Sequence, residues 1–99
     1  MFVMRETLQC KPGAIGDLKK RFQALNAILK KKGHPTFVLL TDVAGGHFWT
    51  LVLEMESDSV DGFFAIEAQV MSDPEARQVM AGYHDLIASG RREVFRKVA

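Results

Sequence analysis

The sequence has few of the residues that mark disulfide-stabilised or metal-binding proteins. Among its 99 residues there is one cysteine, Cys10, which excludes an internal disulfide and any site built from several cysteines. The three histidines, at positions 34, 47 and 84, do not follow the HxH or HExxH spacing of zinc sites. We therefore expect no metal and no other cofactor.

Long apolar runs and an excess of either charge are also missing. No apolar stretch approaches the ~20 residues that span a bilayer, and the charged residue Arg5 comes too early for a signal peptide. The net charge of +1 creates no general attraction to nucleic acid or to an anionic membrane. The basic run Lys30–Lys32 has no interleaved aromatic residues, so we interpret it as solvated surface. These absences predict a cytoplasmic protein with neither a nucleic-acid nor a membrane partner.

What remains is the composition of an ordinary globular protein, with 47% hydrophobic and 25% charged residues. A chain of this length forms one domain, residues 1–99. Hydrophobic residues alternate along Phe2–Cys10, which predicts a strand. Over Ile15–Leu29 they recur every three or four positions. This spacing predicts a helix with Pro12 in its first turn and Gly33 at its end.

The second half of the chain predicts two more strands, a second helix in two parts and a final strand. The elements are, in chain order, a hairpin of strands 36–43 and 48–56 around Gly45 and Gly46, a helix capped by Ser57 or Ser59 that restarts at Pro74 and ends at Gly90, and a strand over 91–98. The order β-α-β-β-α-β is that of the ferredoxin-like split βαβ fold. The sequence therefore predicts an α+β protein with a four-stranded antiparallel sheet.

The two hairpin strands are apolar on both faces. Phe37 and Leu39 point to one side of the sheet, while Val38 and Leu40 point to the other. An antiparallel sheet with one wet face alternates between apolar and polar residues, and the predicted helical segments cover only one face. We therefore expect a homodimer, in which a second copy of the chain covers the other face. A large ligand on the open sheet is the alternative cover.

Four segments of the sequence together resemble a known superfamily. They are the first strand and its turn (Arg5–Gly13), the third strand (Trp49–Glu56), the Asp73-Pro74 restart, and the stretch from Tyr83 to Arg96 with Ser89-Gly90-Arg91-Arg92. These segments resemble the dimeric α/β-barrel proteins, in particular the NIPSNAP-like and antibiotic-biosynthesis-monooxygenase-like groups. The resemblance spans the whole chain. It implies a dimeric α/β barrel with a pocket between the helices and the sheet of each subunit.

The superfamily includes cofactor-free monooxygenases acting on aromatic polyketides, haem-degrading enzymes, small isomerases and proteins with no known activity. The first strand here lacks the Asn of the haem-degrading pattern, and the spacing of Trp49 to His84 departs from that pattern as well. We therefore predict a protein that binds a small hydrophobic molecule between helices and sheet. The alternatives are a cofactor-independent monooxygenase or isomerase acting on an aromatic molecule, and a structural or partner-binding module without a ligand.

Three residues are candidates for catalysis. Glu6 shares a strand face with Met4 and Leu8, and a carboxylate in apolar surroundings can act as a base. A salt bridge with a basic side chain, or a shifted strand register, is the alternative explanation for Glu6. Tyr83 lies on the apolar stripe of the second helix and His84 is partly inward, so both can reach the pocket or simply pack. Consecutive helical residues point ~100° apart, so we do not expect these two side chains to face each other.

Two residues near the hairpin turn are candidates for ligand binding. His47 and Trp49 share one strand parity beside the two glycines. At the mouth of a pocket they could hydrogen-bond to an aromatic ligand and stack on it. The alternatives are a Trp49 that belongs to the core or the dimer interface, and a His47 that is a solvated turn residue.

Overall fold

A four-stranded antiparallel sheet forms one layer of the molecule and three helices form the other. The computed structural model describes residues 1–99, and its strands run in the order β2-β3-β1-β4. The elements are β1 (Phe2–Cys10), α1 (Ile15–Lys31), β2 (Val38–Thr41), β3 (Thr50–Ser57), α2 (Val60–Ser72), α3 (Pro74–Met80), a 3-10 turn (Tyr83–Leu86) and β4 (Ile87–Arg96). This is the ferredoxin-like arrangement that the sequence predicts. None of the three helices combines the length and the apolarity that crossing a membrane requires.

The core lies between α1 and the inner face of β1 and β3. The buried residues on the two sides are Leu18, Phe22, Leu25, Ile28 and Leu29 of α1, Met4, Leu8 and Cys10 of β1, and Leu51, Leu53 and Met55 of β3. Each fully buried leucine contributes roughly 1.5–3 kcal/mol through removal of apolar surface from water. Helix α2, by contrast, buries only Phe63. The helical layer is therefore anchored through α1, while α2 lies more loosely over the sheet.

The Asn26 side chain of α1 binds the backbone of the segment that precedes β2. Its Nδ2 donates to the Phe37 carbonyl oxygen at 2.9 Å, and its Oδ1 accepts from the Phe37 N–H at 2.8 Å. A neighbouring strand would provide the same pair of bonds. The Phe37 ring packs edge-on against Phe22 with a centroid distance of 6.2 Å, so Phe37 contacts the core although it precedes β2.

Helices α2 and α3 begin with side-chain caps, and of the two caps predicted for the second helix the structure shows Ser59, whereas α1 starts differently. The Ser59 hydroxyl accepts from the backbone N–H of the first turn of α2 at 3.1 Å. Asp73 does the same for α3 at 2.9 Å, with Pro74 in the first position. Helix α1 begins at Ile15 without a side-chain cap. Pro12 therefore lies in the turn before the helix rather than in its first turn.

The hairpin strands are shorter than the predicted strands over 36–43 and 48–56, because residues 42–49 form a loop. Trp49 closes this loop with a positive φ of 56°, which is uncommon for a residue other than glycine. His47 is also a loop residue. The two side chains therefore do not share a strand parity, and this part of the sequence interpretation is wrong.

The C-terminal quarter of the chain also differs from the prediction. Helix α3 ends at Met80, not at Gly90, because Gly82 adopts a positive φ of 76° and turns the chain. The 3-10 turn follows, and β4 begins at Ile87. Gly90 lies inside β4 opposite Leu8, where a β-carbon would come within 3.0 Å of the Leu8 side chain. The absence of a side chain at Gly90 therefore lets Leu8 approach closely from the neighbouring strand; it does not end a helix.

The sheet face that points away from the helices, which we call the open face, is mixed in character. Leu40 of β2 and Phe95 of β4 are 45% and 43% exposed there. Between them lies a row of charged residues in paired register, Glu54, Arg5 and Glu93. Arg5 Nε is 2.7 Å from Glu54 Oε2. The expectation of a face that is apolar throughout, drawn from the hairpin alone, is therefore corrected.

Candidate functional site

A cavity of about 550 Å³ lies between the helical layer and the inner face of the sheet. Side chains of β1, β3 and β4 line it from the sheet, and side chains of all three helices and of the 3-10 turn line it from the other layer. Of its 18 lining residues, 13 are hydrophobic. The loose packing of α2, which buries only Phe63, leaves this space open. The cavity is therefore an apolar space with a small number of polar groups.

Three of the polar groups form one ion cluster. Glu6 of β1 and Arg92 of β4 are direct cross-strand partners, and Arg92 Nη2 lies 3.2 Å from Glu6 Oε2. The same nitrogen lies 2.9 Å from Oε2 of Glu67, which α2 contributes. The Glu6 side chain is only 23% exposed. Of the explanations open for Glu6, the structure shows the salt bridge with a basic side chain.

The cluster changes the acid–base behaviour of Arg92. Burial by itself would lower the pKa of Arg92, because it disfavours the charged form. The negative charges of Glu6 and Glu67, and the hydrogen bonds to them, outweigh this effect and raise the pKa. Arg92 is therefore a fixed cation that ties the sheet to α2 and does not exchange protons near neutral pH.

Tyr83 and His84 both line the cavity, which is one of the two possibilities that the sequence leaves open for them. Their rings stack with a centroid distance of 4.0 Å and an interplanar angle of 34°. The expectation that they do not face each other is wrong: the two rings are in contact, although consecutive residues of the 3-10 turn point about 120° apart. Burial first, and then the charges of Glu6 and Glu67, raise the pKa of Tyr83, while Arg92 partly offsets them. The phenol hydroxyl is therefore neutral at physiological pH.

The position of the turn depends on a contact between helices. Arg21 of α1 donates through Nη1 to the carbonyl oxygens of Val79, at 3.3 Å, and of Ala81. These bonds satisfy carbonyl groups that the end of α3 leaves without helical partners. The Tyr83 ring also packs edge-on against Phe22, with a centroid distance of 6.2 Å. Helix α1 thus fixes the segment that carries Tyr83 into the cavity.

The structure places His47 and Trp49 away from this cavity. His47 lies beside a second, mostly polar depression of about 450 Å³ on the open face, which shares no residue with the first. Trp49 lines neither space. Its backbone carbonyl accepts from Cys10 N–H at 2.9 Å, and its ring lies 5.9 Å from that of Phe48. The structure thus brings together Glu6, Tyr83 and His84 but not the two loop residues.

Sequence reasoning missed Arg92, Glu67 and Arg77, the other charged residues of the cavity lining. The signal for Arg92 was its place in the last strand, but which residue it faces depends on the register with β1. Glu67 lies on α2, and nothing in the sequence pattern indicates Arg92 as its partner. No group of three or more His, Cys, Asp or Glu side chains is close enough together to hold a metal ion.

No family model and no curated protein matches the sequence. Solved structures match over nearly the whole chain. A NIPSNAP family protein with unknown function from Agrobacterium tumefaciens is 22% identical, with a TM-score of 0.78 over 96% of this chain and 86% of that one. An uncharacterized NIPSNAP domain protein from Burkholderia xenovorans is 14% identical, with a TM-score of 0.81 over 100% and 96%.

A third similar structure comes from the other group named by the sequence resemblance. An antibiotic biosynthesis monooxygenase-like protein from Deinococcus radiodurans is 9% identical, with a TM-score of 0.72 over 100% of this chain and 94% of that one. The protein therefore has the fold of NIPSNAP-like and antibiotic-biosynthesis-monooxygenase-like proteins, as the resemblance implied. Identities this low establish the fold and assign no reaction.

Proposed function

We propose that this protein binds a small hydrophobic molecule in the cavity between its helices and its sheet, and that it works as a homodimer. The observation that carries the binding proposal is the cavity itself. Its volume of about 550 Å³ lies within the ~300–1,000 Å³ of typical small-molecule sites. Each Å² of apolar surface removed from water between ligand and lining contributes roughly 25 cal/mol.

The polar groups of the lining suit a binding site better than a packing defect. A defect is lined by apolar atoms throughout, whereas ligand sites combine apolar walls with a few convergent polar groups that orient the ligand. Here Glu6, Glu67 and Arg92 converge beside the Tyr83 hydroxyl group. A ligand could therefore bury an apolar body in the cavity and direct one polar group toward this cluster.

The methionines provide a direct test. Met4, Met55, Met71 and Met80 line the cavity, whereas Met1 does not. Titration of protein labelled with 13C at the methionine methyl groups with 1-naphthalenemethanol, a neutral aromatic probe, should shift several of the four cavity signals. The Met1 signal is the internal control and should stay in place.

Two variants on α2 separate cavity binding from surface binding. Val70→Trp places a large ring into the lining, so we expect it to abolish the methyl shifts. Phe64→Trp is the matched control, because Phe64 lies on the same helix, is exposed and does not line the cavity. If the cavity signals do not move for naphthalene, anthracene and biphenyl alcohols at millimolar concentration, the binding proposal is wrong.

The homodimer proposal rests on the surface of the single chain. A typical monomer of 11.1 kDa exposes about 5,700 Å², whereas this chain exposes 6389 Å². The surplus of about 700 Å² is close to the ~800 Å² that each partner of a standard interface buries. Covering the open face would bring the chain back to the exposure of an ordinary globular protein.

The charges of the open face are compatible with a second copy as the cover. Each carboxylate on the strands of that face already has a cation beside it: Glu54 pairs with Arg5 at 2.7 Å, Glu93 with Arg91 at 3.4 Å and Glu56 with Lys97 at 3.1 Å. A face with no net charge can approach an identical face without the repulsion that like charges would cause. The exposed apolar residues between these pairs would then be removed from water.

Sedimentation equilibrium at micromolar concentration tests this proposal. The wild-type chain should sediment with twice the chain mass. Leu40→Lys, which puts a cation on the open face, should shift it toward the single-chain mass. Phe64→Lys is the control, because it charges an equally exposed apolar residue on the helical layer. A stable wild-type monomer would refute the dimer.

An enzyme is the second candidate function, a cofactor-independent monooxygenase or isomerase acting on an aromatic molecule. The observation that favours it is the presence of Glu6, Tyr83 and His84 on one cavity. Oxygen uptake with a panel of hydroxylated naphthalenes and anthracenes, read against buffer and against Tyr83→Phe, tests the monooxygenase. Methyl shifts without turnover would leave the binding function and contradict this one. An unoccupiable cavity would favour a structural module.

We also propose the cytoplasm as the site of action. Cys10 is a free, buried thiol, and unpaired thiols are typical of reducing compartments. Fractionation of cells that express a tagged chain would test this location.

A further inference from the structure

The ion cluster at the cavity carries more negative than positive charge. Glu6 on β1 and Glu67 on α2 share one nitrogen of Arg92, at 3.2 Å and 2.9 Å. Neither carboxylate has another ion-pair partner, and Arg92 pairs with nothing else. Two carboxylates and one guanidinium leave an excess of one negative charge at this end of the cavity.

The charges around Tyr83 agree with an excess of negative charge at this end of the cavity. Its hydroxyl group experiences the charges of Glu6 and Glu67 more strongly than that of Arg92, and burial acts in the same direction as the carboxylates. Arg77, the remaining charged residue of the lining, does not contribute to the pKa shift of Tyr83. The cavity is therefore negative around the Tyr83 hydroxyl, whatever the effect of Arg77 elsewhere in the lining.

We propose that the cavity selects apolar molecules that carry a protonated amine, with the ammonium group directed at Glu6 and Glu67 beside Arg92. This inference rests on the proposed binding function and adds the chemical class of the ligand. An ammonium group would share the two carboxylates with the guanidinium and would neutralise the excess charge. A carboxylate at the same place would add a third negative charge beside a single guanidinium, Arg92, that Glu6 and Glu67 already share; Arg77, elsewhere in the lining, makes no ion pair.

Three probes with one ring system and different polar groups test the selection. They are 1-naphthylmethylamine, 1-naphthalenemethanol and 1-naphthoate, each titrated at pH 7 into the methionine-labelled protein. We expect the amine to bind about tenfold more tightly than the carboxylate. One partly exposed negative charge should strengthen the binding of the amine a few-fold and weaken the binding of the carboxylate a few-fold. The alcohol should lie between them.

Two glutamine variants assign the effect to the cluster. Glu67→Gln removes the excess charge, so the amine should lose most of its advantage over the carboxylate. Glu75→Gln is the matched control, because Glu75 is an exposed carboxylate of α3 that pairs with Lys31 and does not line the cavity. The ratio of its affinities for the amine and the carboxylate should equal that of the wild type. Retention of the wild-type methyl spectrum by each variant confirms that it is folded.

The outcomes separate this inference from the proposed function. Equal affinity for the three probes, or tighter binding of 1-naphthoate, would overturn the amine selection and leave cavity binding in place. An amine preference that Glu67→Gln does not reduce would also overturn it. If none of the probes moves the cavity methyl signals, the proposed function fails and the inference fails with it.

Discussion

Replacing Arg92 by methionine should destabilise the protein, because it removes the cation that offsets the repulsion between Glu6 and Glu67. Both carboxylates approach the same guanidinium nitrogen, at 3.2 Å and 2.9 Å, so their nearest oxygens are at most about 6 Å apart. Methionine keeps much of the length of the arginine stem and therefore its packing against the cavity. The change removes the cation and leaves both anions.

The expected loss is about 1 kcal/mol of the free energy of unfolding. The two ion pairs are partly exposed, with side-chain exposures of 23%, 38% and 44% for Glu6, Arg92 and Glu67, so each is worth roughly 0.2–1 kcal/mol. The two carboxylates repel each other by about 1 kcal/mol once water screening is included; this repulsion is offset by Arg92 in the wild type and is no longer offset in the variant. In a domain of this length the loss corresponds to a fall in Tm of roughly 5 °C.

Urea unfolding at pH 7 and one fixed protein concentration measures this loss, and the concentration is fixed because a dimer would make the midpoint depend on it. The triple variant Arg92→Met, Glu6→Gln, Glu67→Gln should recover more than half of the stability, since it carries no unpaired charge. High salt should narrow the gap between wild type and Arg92→Met. If the triple variant is as unstable as the single one, the loss comes from packing and the electrostatic account is wrong.

Three further changes test other parts of the structure. The Lys32 ammonium, by hydrogen bonding to Asp73, lowers the pKa of that carboxylate below its ordinary 3.8. Asp73→Asn should therefore lower Tm at pH 7, and the difference should shrink as the pH falls below 3.8 and vanish only below the lowered pKa of the folded protein. Asn26→Ala removes both hydrogen bonds to the Phe37 backbone and should cost about 1–3 kcal/mol in urea unfolding. Burial raises the pKa of the Cys10 thiol, so a thiol reagent should react at least about 100-fold more slowly with the native than with the urea-unfolded protein.

The layers of the fold could be predicted because burial imposes a period on the sequence. Residues Phe2–Cys10 and Ile15–Lys31 form the strand and helix that their two spacings indicate. The ends of the helices were harder to predict. A glycine can be needed for a positive φ or for a close approach of two strands, and the sequence does not distinguish these two needs. Gly82 supplies a positive φ and ends the helical segment, whereas Gly90 makes room for Leu8 on the next strand. Only the register of β1 with β4 separates the two reasons.

The cavity could be predicted less well than the fold, because its polar groups come from distant parts of the chain. The inward direction of Glu6 follows from strand alternation, which is a local property. Its partner Arg92 is 86 positions away, and a shift of one residue in β4 would turn that side chain to the open face. The contact between the Tyr83 and His84 rings could not be predicted from side-chain directions along a helix, because consecutive residues diverge in the 3-10 turn as they do in an α-helix.

The packing of α2 bears most directly on whether the cavity exists for a ligand. It buries Phe63 alone, although Ile66 and Val70 also turn toward the sheet and line the cavity. A tighter α2 would bury more apolar surface and stabilise the fold, so a chain under selection for stability alone would have closed the gap. Val70→Trp, which places a large ring in it, should therefore leave Tm unchanged or raise it while abolishing the methyl shifts, the trade between stability and function expected of a binding site. A fall in Tm of several degrees would instead show that α2 is already packed as closely as this backbone allows, and would remove the ground for treating the cavity as a site.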